Sequence, residues 1–326
     1  MQNFSYARPD TVDSALSLMA DHQGAAFIAG GTDMLNRIRD GVSAPGLLID
    51  ISRLDLAKVS KDKKRLSIGA LTTNTAIAEN HIVASEFPLL RDALLSGASP
   101  QVRNMATAAG NILQSARCPY FRDVMSACNR RDPGSGCSAI GGTSRKLGVL
   151  GVSDQCIAVH GSDFAVALAA LDGTVQTVRP GGERCSIKVE DLIRLPEDRP
   201  DEATMLAPDE LILSIDVDRA LAGFSSAYVK TRDRASFGYA LVSAAVALTL
   251  DEGRVAQARI ALGGVAPKPW RARGAEAALV GRAPTEDAIA EAAAQAIVGA
   301  TPTEDNRYKV DLAARVLTRA IKEALA

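Results

Sequence analysis

Four of the five cysteines of this chain lie between residues 115 and 160, and this stretch constrains the fold more than any other. It is rich in Gly, Ser and Arg and shows neither the helical nor the strand period of apolar residues. A long irregular insert in a compact domain is normally either functional or disordered. Four thiols gathered in one insert favour function, so we predict a folded domain interrupted by a functional loop.

The spacing of these thiols is C-x9-C-x8-C-x18-C, at Cys118, Cys128, Cys137 and Cys156. Structural zinc sites usually contain close C-x2-C pairs, which are missing here. Disulfides require an oxidising compartment, and we see no signal peptide. Four thiolates are the usual ligand set of a [4Fe–4S] cluster, which we favour. Zinc, disulfides and unrelated buried thiols remain the alternatives, and burial suits Cys156 best.

Cationic side chains crowd the same insert: Arg117, Arg122, Arg130, Arg131, Arg145 and Lys146. Positive neighbours lower thiol pKa values and favour thiolates that bind metal, so we expect lowered pKa values in this insert. The fifth cysteine, Cys185, lies outside it in an alternating segment that predicts a strand. We interpret Cys185 as structural.

Composition excludes several classes of function. The formal net charge of −1 and the 4% aromatic content argue against a nucleic-acid-binding surface. We find no apolar run of the roughly 18 residues that a membrane helix needs. The lack of a recognisable signal peptide predicts a cytoplasmic protein, with export alongside a partner subunit as the alternative.

The N-terminal region predicts a small parallel α/β unit. A helix with apolar residues from Val12 to Met19 precedes a buried strand at residues 25–28, and another strand follows at 46–51. Between the strands, Gly30-Gly31 leads into a short helix from Met34. Glycines let the backbone approach a ligand closely, and the first turn of a helix offers N–H groups to phosphate. A plain tight turn is the alternative.

The rest of the chain predicts an α+β arrangement. We expect strands at 65–70, 174–178 and 211–217, a hairpin from 240 to 265, and helices near 271–280, 285–298 and 307–325. The polar segment 99–111 is interpreted as a loop suited to a diphosphate, and the Pro- and acid-rich segment 196–208 as a surface loop.

Several separated motifs resemble one known family. Ala29-Gly30-Gly31-Thr32-Asp33, Gln101-Val102-Arg103-Asn104, Thr107-Ala108-Ala109-Gly110-Asn111, the segment 162–168 and Tyr228-Val229-Lys230 resemble the FAD-binding subunits of the xanthine dehydrogenase and carbon monoxide dehydrogenase family. The sequence around the first three cysteines of the insert is similar to the flavin subunit of bacterial, periplasmic-type molybdenum aldehyde oxidoreductases. In that subgroup the insert carries a [4Fe–4S] cluster.

The resemblance implies an α+β fold in which a two-subdomain FAD-binding unit precedes a C-terminal α+β domain. The two subdomains are a small α/β unit at 1–58 and a mixed or antiparallel sheet at 59–220 that contains the insert 115–160. The C-terminal domain covers 221–326. It further implies a heterotrimer with a large partner that carries the molybdenum cofactor and a small partner that carries [2Fe–2S] clusters. Electrons would pass through them to FAD and then to an external acceptor.

The resemblance also implies a set of cofactor contacts. For FAD they are Ala26, Phe27, Ile28, Ala29, Gly30, Gly31, Thr32, Asp33, Met34, Gly97, Thr107, Gly110, Asn111, Asp163 and Lys230. The cluster ligands are Cys118, Cys128, Cys137 and Cys156. Alternatively, Ser162-Asp163 simply caps a helix and Lys230 is a solvated charge. Ala109 replaces a glycine that is frequent in the family, which should be tolerated at negative φ.

No residue of this chain suggests a general base for aldehyde oxidation, so we predict no catalytic residue here and place that step on a partner. Two other functions are weighed against this one. A free-standing flavin oxidase of a small alcohol would need its own substrate domain. A zinc-stabilised interaction module would contain zinc without iron or flavin.

Overall fold

The structure, a computed structural model, describes residues 3–326. The N-terminal unit is a parallel sheet in the order β1-β3-β2, as the alternation of strands and helices predicted. Thr11 caps the first helix through a hydrogen bond from the backbone N–H of Ser14. The elements are β1 (Ser5–Ala7), α1 (Val12–Asp21), β2 (Ala25–Ile28), α2 (Met34–Arg39) and β3 (Leu47–Asp50).

The second sheet is antiparallel throughout, in the order β4-β5-β8-β6-β7. Its helices pack through buried side chains such as Phe87, Leu90 and Phe164. The strands are β4 (Val59–Lys61), β5 (Arg65–Gly69), β6 (Thr174–Val178), β7 (Arg184–Lys188) and β8 (Leu211–Asp218). The helices outside the insert are α3 (Asn74–Glu79), α4 (His81–Glu86), α5 (Pro88–Ser96), α6 (Pro100–Met105), α7 (Ala108–Ile112), α9 (Asp163–Ala170) and α10 (Val189–Leu192).

The prediction of a loop over residues 99–111 was wrong, because α6 and α7 occupy most of it. Ser99 caps α6 and Thr107 caps α7, each by accepting a hydrogen bond from the N–H three residues later. Pro100 occupies the first turn of α6, where its missing N–H costs nothing. The polar residues that suggested a loop therefore act as helix caps.

The insert is irregular, as predicted. Within residues 115–160 the structure contains the single-turn helix α8 (Pro119–Arg122) and an isolated antiparallel bridge between Cys128 and Cys137. The insert nevertheless has its own small core, in which three of the cysteines pack with Phe121 and Leu147. It is a folded loop held together by buried side chains.

The C-terminal region is an antiparallel sheet, β12-β11-β10-β9, covered by helices. The predicted hairpin is present, and Glu252 and Gly253 both have positive φ at its two-residue turn. The elements are β9 (Ser225–Thr231), β10 (Val242–Asp251), β11 (Arg254–Gly263), β12 (Trp270–Arg271), α11 (Arg273–Leu279), α12 (Glu286–Gln295) and α13 (Tyr308–Leu325). Among residues 3–326, none of the helices combines the length and apolar character required to span a bilayer.

Candidate cofactor sites

A cavity of about 540 Å³ opens beside the β2–α2 loop, α7 and the segment that leads into β8. This volume is within the usual range for small-molecule and cofactor sites. Ten of the predicted cofactor contacts line it: Phe27, Ile28, Ala29, Gly30, Gly31, Thr32, Asp33, Met34, Thr107 and Gly110. The remaining five are not among the residues of its wall: Ala26, Gly97, Asn111, Asp163 and Lys230.

The β2–α2 loop presents unpaired backbone donors to this cavity. Within residues 3–326, no acceptor forms a hydrogen bond with the N–H groups of Gly30, Gly31 or Thr32. Gly31 has φ +69°, which favours glycine. A Cβ on Gly30 would lie 1.8 Å from the carbonyl oxygen of Met105, so this glycine permits close packing against the end of α6. The loop can therefore bind an anionic group through its backbone.

The N-terminus of α7 does not offer such donors. The N–H groups of Ala108 and Ala109 donate to the carbonyls of Thr72 and Ala70, at 2.9 and 3.0 Å. The N–H of Gly110 donates to Oγ1 of Thr107. The expectation that this segment holds a diphosphate through its backbone is thus wrong for these amides, which already have partners. Ala109 is helical, without positive φ, so its methyl group is tolerated.

The side chain of Asp33 faces the insert. Its carboxylate accepts hydrogen bonds from Oγ of Ser115 at 2.7 Å and from Arg122 at 2.8 Å, and it pairs with Arg117 at 2.9 Å. Burial raises the pKa of Asp33, but Arg117, Ser115 and Arg122 together hold it below its usual value. Asp33 therefore anchors the beginning of the insert to the glycine loop.

Asp163 and Lys230 form a buried ion pair of 2.7 Å, with 8% and 4% of their side chains exposed. Tyr228 donates a hydrogen bond to Asp163, and Lys230 also donates to the carbonyl of Ser96 beside Gly97. The interpretation of Lys230 as a solvated charge is therefore wrong. Ser162 does cap α9, as the alternative proposed. Contact of Asp163, Lys230 and Gly97 with a flavin stays a prediction.

The four cysteines of the insert line one small cavity together with Phe121 and Arg130. Cys118, Cys128 and Cys156 are buried, and Cys137 is half-buried. Cys185 lies apart from them, in β7. The sequence thus correctly grouped the four thiols, although they are separated by irregular chain. Such convergence gives the ligand number and ligand type of a [4Fe–4S] cluster.

The cavity between the thiols measures about 10 Å³, the space of one water molecule. Within residues 3–326, no three His, Cys, Asp or Glu side chains are close enough together to bind a single metal ion. Tetrahedral zinc, with Zn–S bonds of about 2.3 Å, would require sulfur atoms about 3.8 Å apart. A larger cluster would instead require the walls of this cavity to move outward. The four thiols match a cluster in ligand number and type. Because a cluster is larger than this cavity, its binding would require a local expansion of the insert.

The expectation of a lowered thiol pKa was wrong for Cys118 and Cys156. Burial raises the pKa of Cys118 to about 11, and burial also raises the pKa of Cys156 against the opposing effect of Arg130. The reason is that most of the nearby cations face other partners. Arg131, for example, donates to the carbonyls of Tyr120 and Phe121, at 2.9 Å each.

Two further parts of the cavity were not predicted. The segment interpreted as a surface loop contributes Asp201, Thr204, Leu206 and other residues to the wall of the large cavity. His160 also lines it, and burial lowers its pKa to about 4, so the imidazole is neutral at pH 7. The prolines and acids of 196–208 resemble those of any exposed loop, and no local signal distinguishes them.

Comparisons with known proteins agree with this geometry. Residues 2–218 match the model of the FAD-binding domain in molybdopterin dehydrogenase, and 226–324 match the C-terminal domain of the carbon monoxide dehydrogenase flavoprotein. The chain is 42% identical to the aldehyde oxidoreductase FAD-binding subunit PaoB of Escherichia coli K12, over 100% of this chain and 99% of that one. It is 26% identical to the carbon monoxide dehydrogenase medium chain of Afipia carboxidovorans, over 99% and 97%.

A solved structure shows the same architecture. Carbon monoxide dehydrogenase from Hydrogenophaga pseudoflava, in a form lacking the Mo-pyranopterin moiety of its cofactor, superposes with a TM-score of 0.79 at 27% identity, covering 99% of this chain and 98% of that chain. The predicted α+β class, with a two-sheet FAD-binding unit followed by a C-terminal α+β domain, is confirmed. The chain belongs to the FAD-binding flavoprotein subunits of the molybdopterin dehydrogenases.

Proposed function

We propose that this protein is the FAD- and [4Fe–4S]-containing electron-transfer subunit of a heterotrimeric, molybdenum-dependent aldehyde oxidoreductase. The 42% identity to an aldehyde oxidoreductase subunit along the whole chain supports the choice of an aldehyde. The observation that carries the cluster is the convergence of Cys118, Cys128, Cys137 and Cys156 on one cavity. This cavity shares the wall residues Phe121 and Arg130 with the large one, which supports two neighbouring sites.

FAD, when bound, would supply the redox chemistry, because it can accept electrons and pass them on. The chain's part is to hold it, and the unpaired N–H groups of Gly30, Gly31 and Thr32 would receive its phosphates. Arg37 lines the same cavity, and its buried Nε has no hydrogen-bond partner within residues 3–326, so it adds a positive charge beside the loop. His160, which is neutral at pH 7, also lines this cavity and adds no charge to it.

The proposed assembly assigns substrate oxidation to other chains. A large partner would carry the molybdenum cofactor and oxidise the aldehyde, and a small partner would carry [2Fe–2S] clusters. Electrons would reach this chain and leave through FAD to an external acceptor. Purification of the native complex, with quantification of its molybdenum, iron, sulfide and flavin, tests the assembly. A flavin reduced directly by an alcohol in this chain alone would favour a free-standing oxidase instead.

The cluster has its own test, which compares Cys128→Ser with Cys185→Ser in the intact complex. We expect the first to lose iron and sulfide and to loosen the insert, because metal binding and local folding are coupled. The second should keep both cofactors, since Cys185 lies outside the cluster cavity. Chemical analysis and low-temperature EPR of the reduced protein give the readout. Unchanged iron content in Cys128→Ser, or an unmodified complex that contains zinc and only the iron of the partner's [2Fe–2S] clusters, would refute the cluster.

A further inference from the structure

One cation, Arg130, borders both cavities. Its side chain lines the large cavity that holds the glycine loop and also the small cavity of the four thiols. Phe121 is the other residue of the insert common to both walls, and it is 6% exposed. The partition between the two sites is therefore built in part from one aromatic ring and one guanidinium.

The charge of Arg130 is not neutralised by the protein. Within residues 3–326 no carboxylate forms an ion pair with it, and its buried Nε has no hydrogen-bond partner. Each of the other cations of the insert has a carboxylate or carbonyl partner: Arg117, Arg122, Arg131, Arg145 and Lys146. The buried Nε atoms of Arg117 and Arg122 also lack a partner, but both of those side chains pair with Asp33. A half-buried guanidinium without a counter-charge indicates that Arg130 is arranged for an anionic ligand outside the polypeptide.

The surroundings of Arg130 place its charge at both sites. In the small cavity it shares the wall with Cys156, and in the large cavity it shares the wall with His160 and the glycine loop. The same charge thus acts on a proposed cluster ligand and on the flavin cavity.

We propose that Arg130 is a positive charge shared by the two redox sites, where it raises the reduction potential of the cluster and strengthens the binding of FAD. The inference rests on the proposed function. A cluster with four thiolate ligands gains one negative charge when it accepts one electron, and no proton is needed for balance. A cation beside a ligating sulfur stabilises the reduced form more than the oxidised form. FAD carries a diphosphate, which the same cation attracts.

The test compares Arg130→Gln, Arg130→Lys and Arg145→Gln in the assembled complex. Arg145 is the matched control, since it is in the same insert but pairs with Asp233 at the surface. Redox titration followed by EPR gives the cluster potential, and flavin fluorescence gives the Kd for FAD after its removal and re-addition. For Arg130→Gln we expect a tenfold lower equilibrium constant for cluster reduction, equal to 59 mV for one electron, and about tenfold weaker FAD binding.

Arg130→Lys should remain close to the unmodified protein in both measurements, and Arg145→Gln should match it. Unchanged values in Arg130→Gln, or a change in one of the two alone, would contradict the shared role while leaving the cluster and FAD assignments intact. If Arg130→Gln loses its iron, weaker FAD binding with recovery of both cofactors in Arg130→Lys supports the role, and lack of recovery contradicts it. An unmodified complex whose iron is fully accounted for by the [2Fe–2S] clusters of the small partner would overturn the proposed cluster and this inference together.

Discussion

At the scale of single residues, the carboxylate of Asp33 beside the glycine loop bonds to side chains of the insert. Asp33 lies in a sequence motif that suggests cofactor binding. Its side chain nevertheless accepts a hydrogen bond from Ser115 and forms ion pairs with Arg117 and Arg122 of the insert. The same residue lines the cavity. One residue therefore connects the proposed FAD loop with the proposed cluster loop, and the two sites are mechanically linked at this point.

We expect Asp33→Asn to loosen the start of the insert. The amide keeps the shape of the side chain but leaves two guanidinium groups without their counter-charge, which costs on the order of 3 kcal/mol of unfolding free energy. Hydrogen–deuterium exchange of residues 115–131 should become faster. Asp123→Asn is the control, because that carboxylate bonds only to neighbours within the insert, at Met125 and Ser126. Unaltered exchange in Asp33→Asn would show that the anchor is unimportant.

The same anchor predicts a dependence on acid. Because the pKa of Asp33 is lowered in the folded protein, its contribution to stability is complete above the ordinary carboxylate pKa. It is lost as the pH falls through the lowered value. The protection of residues 115–131 should accordingly decline on acidification, and Asp33→Asn should remove that part of the decline.

At the scale of elements, the sequence predicted the regular strands and helices well and the short ones poorly. Strand β2 was predicted at its observed bounds because its apolar run is followed closely by Gly30-Gly31, which marks the end of the strand. Helices α6 and α7 were missed because each is about one turn long, too short for an apolar period. Their stability comes from caps and from bonds to Thr72 and Ala70, which no local pattern reveals.

The candidate sites show the same division. The glycine loop and the four cysteines were found because their residue types carry chemistry wherever they lie in the fold. The wall residues between 201 and 208 were missed, since they line the cavity only through the long-range packing of that segment. The solitary charge of Arg130 was missed because its five cationic neighbours look alike in sequence and differ only in their partners.

The contact between the β2–α2 loop and α6 can be tested with Gly30→Ala. The added Cβ would lie 1.8 Å from the carbonyl oxygen of Met105, so the loop and the end of α6 must separate. We expect a loss of stability of about 1–3 kcal/mol and weaker FAD binding. Gly46→Ala is the matched control, because no atom lies within 4 Å of its added Cβ and its φ is not positive. Equal flavin content and melting temperature in both variants would contradict this role of Gly30.

At the scale of the whole molecule, the C-terminal domain holds the second half of the insert. Lys309 in α13 is fully buried and donates hydrogen bonds to the carbonyls of Leu147 and Gly264, at 2.9 and 2.6 Å. Asn306 donates to the carbonyl of Gly148, and Ser144 contacts Thr303. The segment 303–309 therefore fastens the segment 144–148, which lies in the second half of the insert.

Burial, with a smaller contribution from nearby Arg145, lowers the pKa of Lys309 from 10.5 to about 7. A neutral amine still has two N–H groups, enough for both carbonyls. Between pH 7 and 10.5 the unfolded chain binds more protons at this site, so stability should rise with pH in this window.

The expected gain from Lys309 is about 2 kcal/mol between pH 8 and 9.5. Urea unfolding at both pH values measures it. Lys309→Met should lack this rise, while Lys322→Met, which removes an exposed lysine of the same helix paired with Glu286, should retain it. An equal rise in the unmodified protein and in Lys309→Met would mean that Lys309 is charged in the folded state.

The clamp of 303–309 on 144–148 also sets an order for biosynthesis. A ribosome makes the cysteine insert when only about half of the chain exists, but the residues that fasten its second half are among the last to be added. Domains generally fold as units during synthesis, N-terminal parts first. The segment 144–148 therefore lacks these contacts until translation is nearly finished. If the proposed cluster is inserted during synthesis, this interval is when its four thiols are accessible.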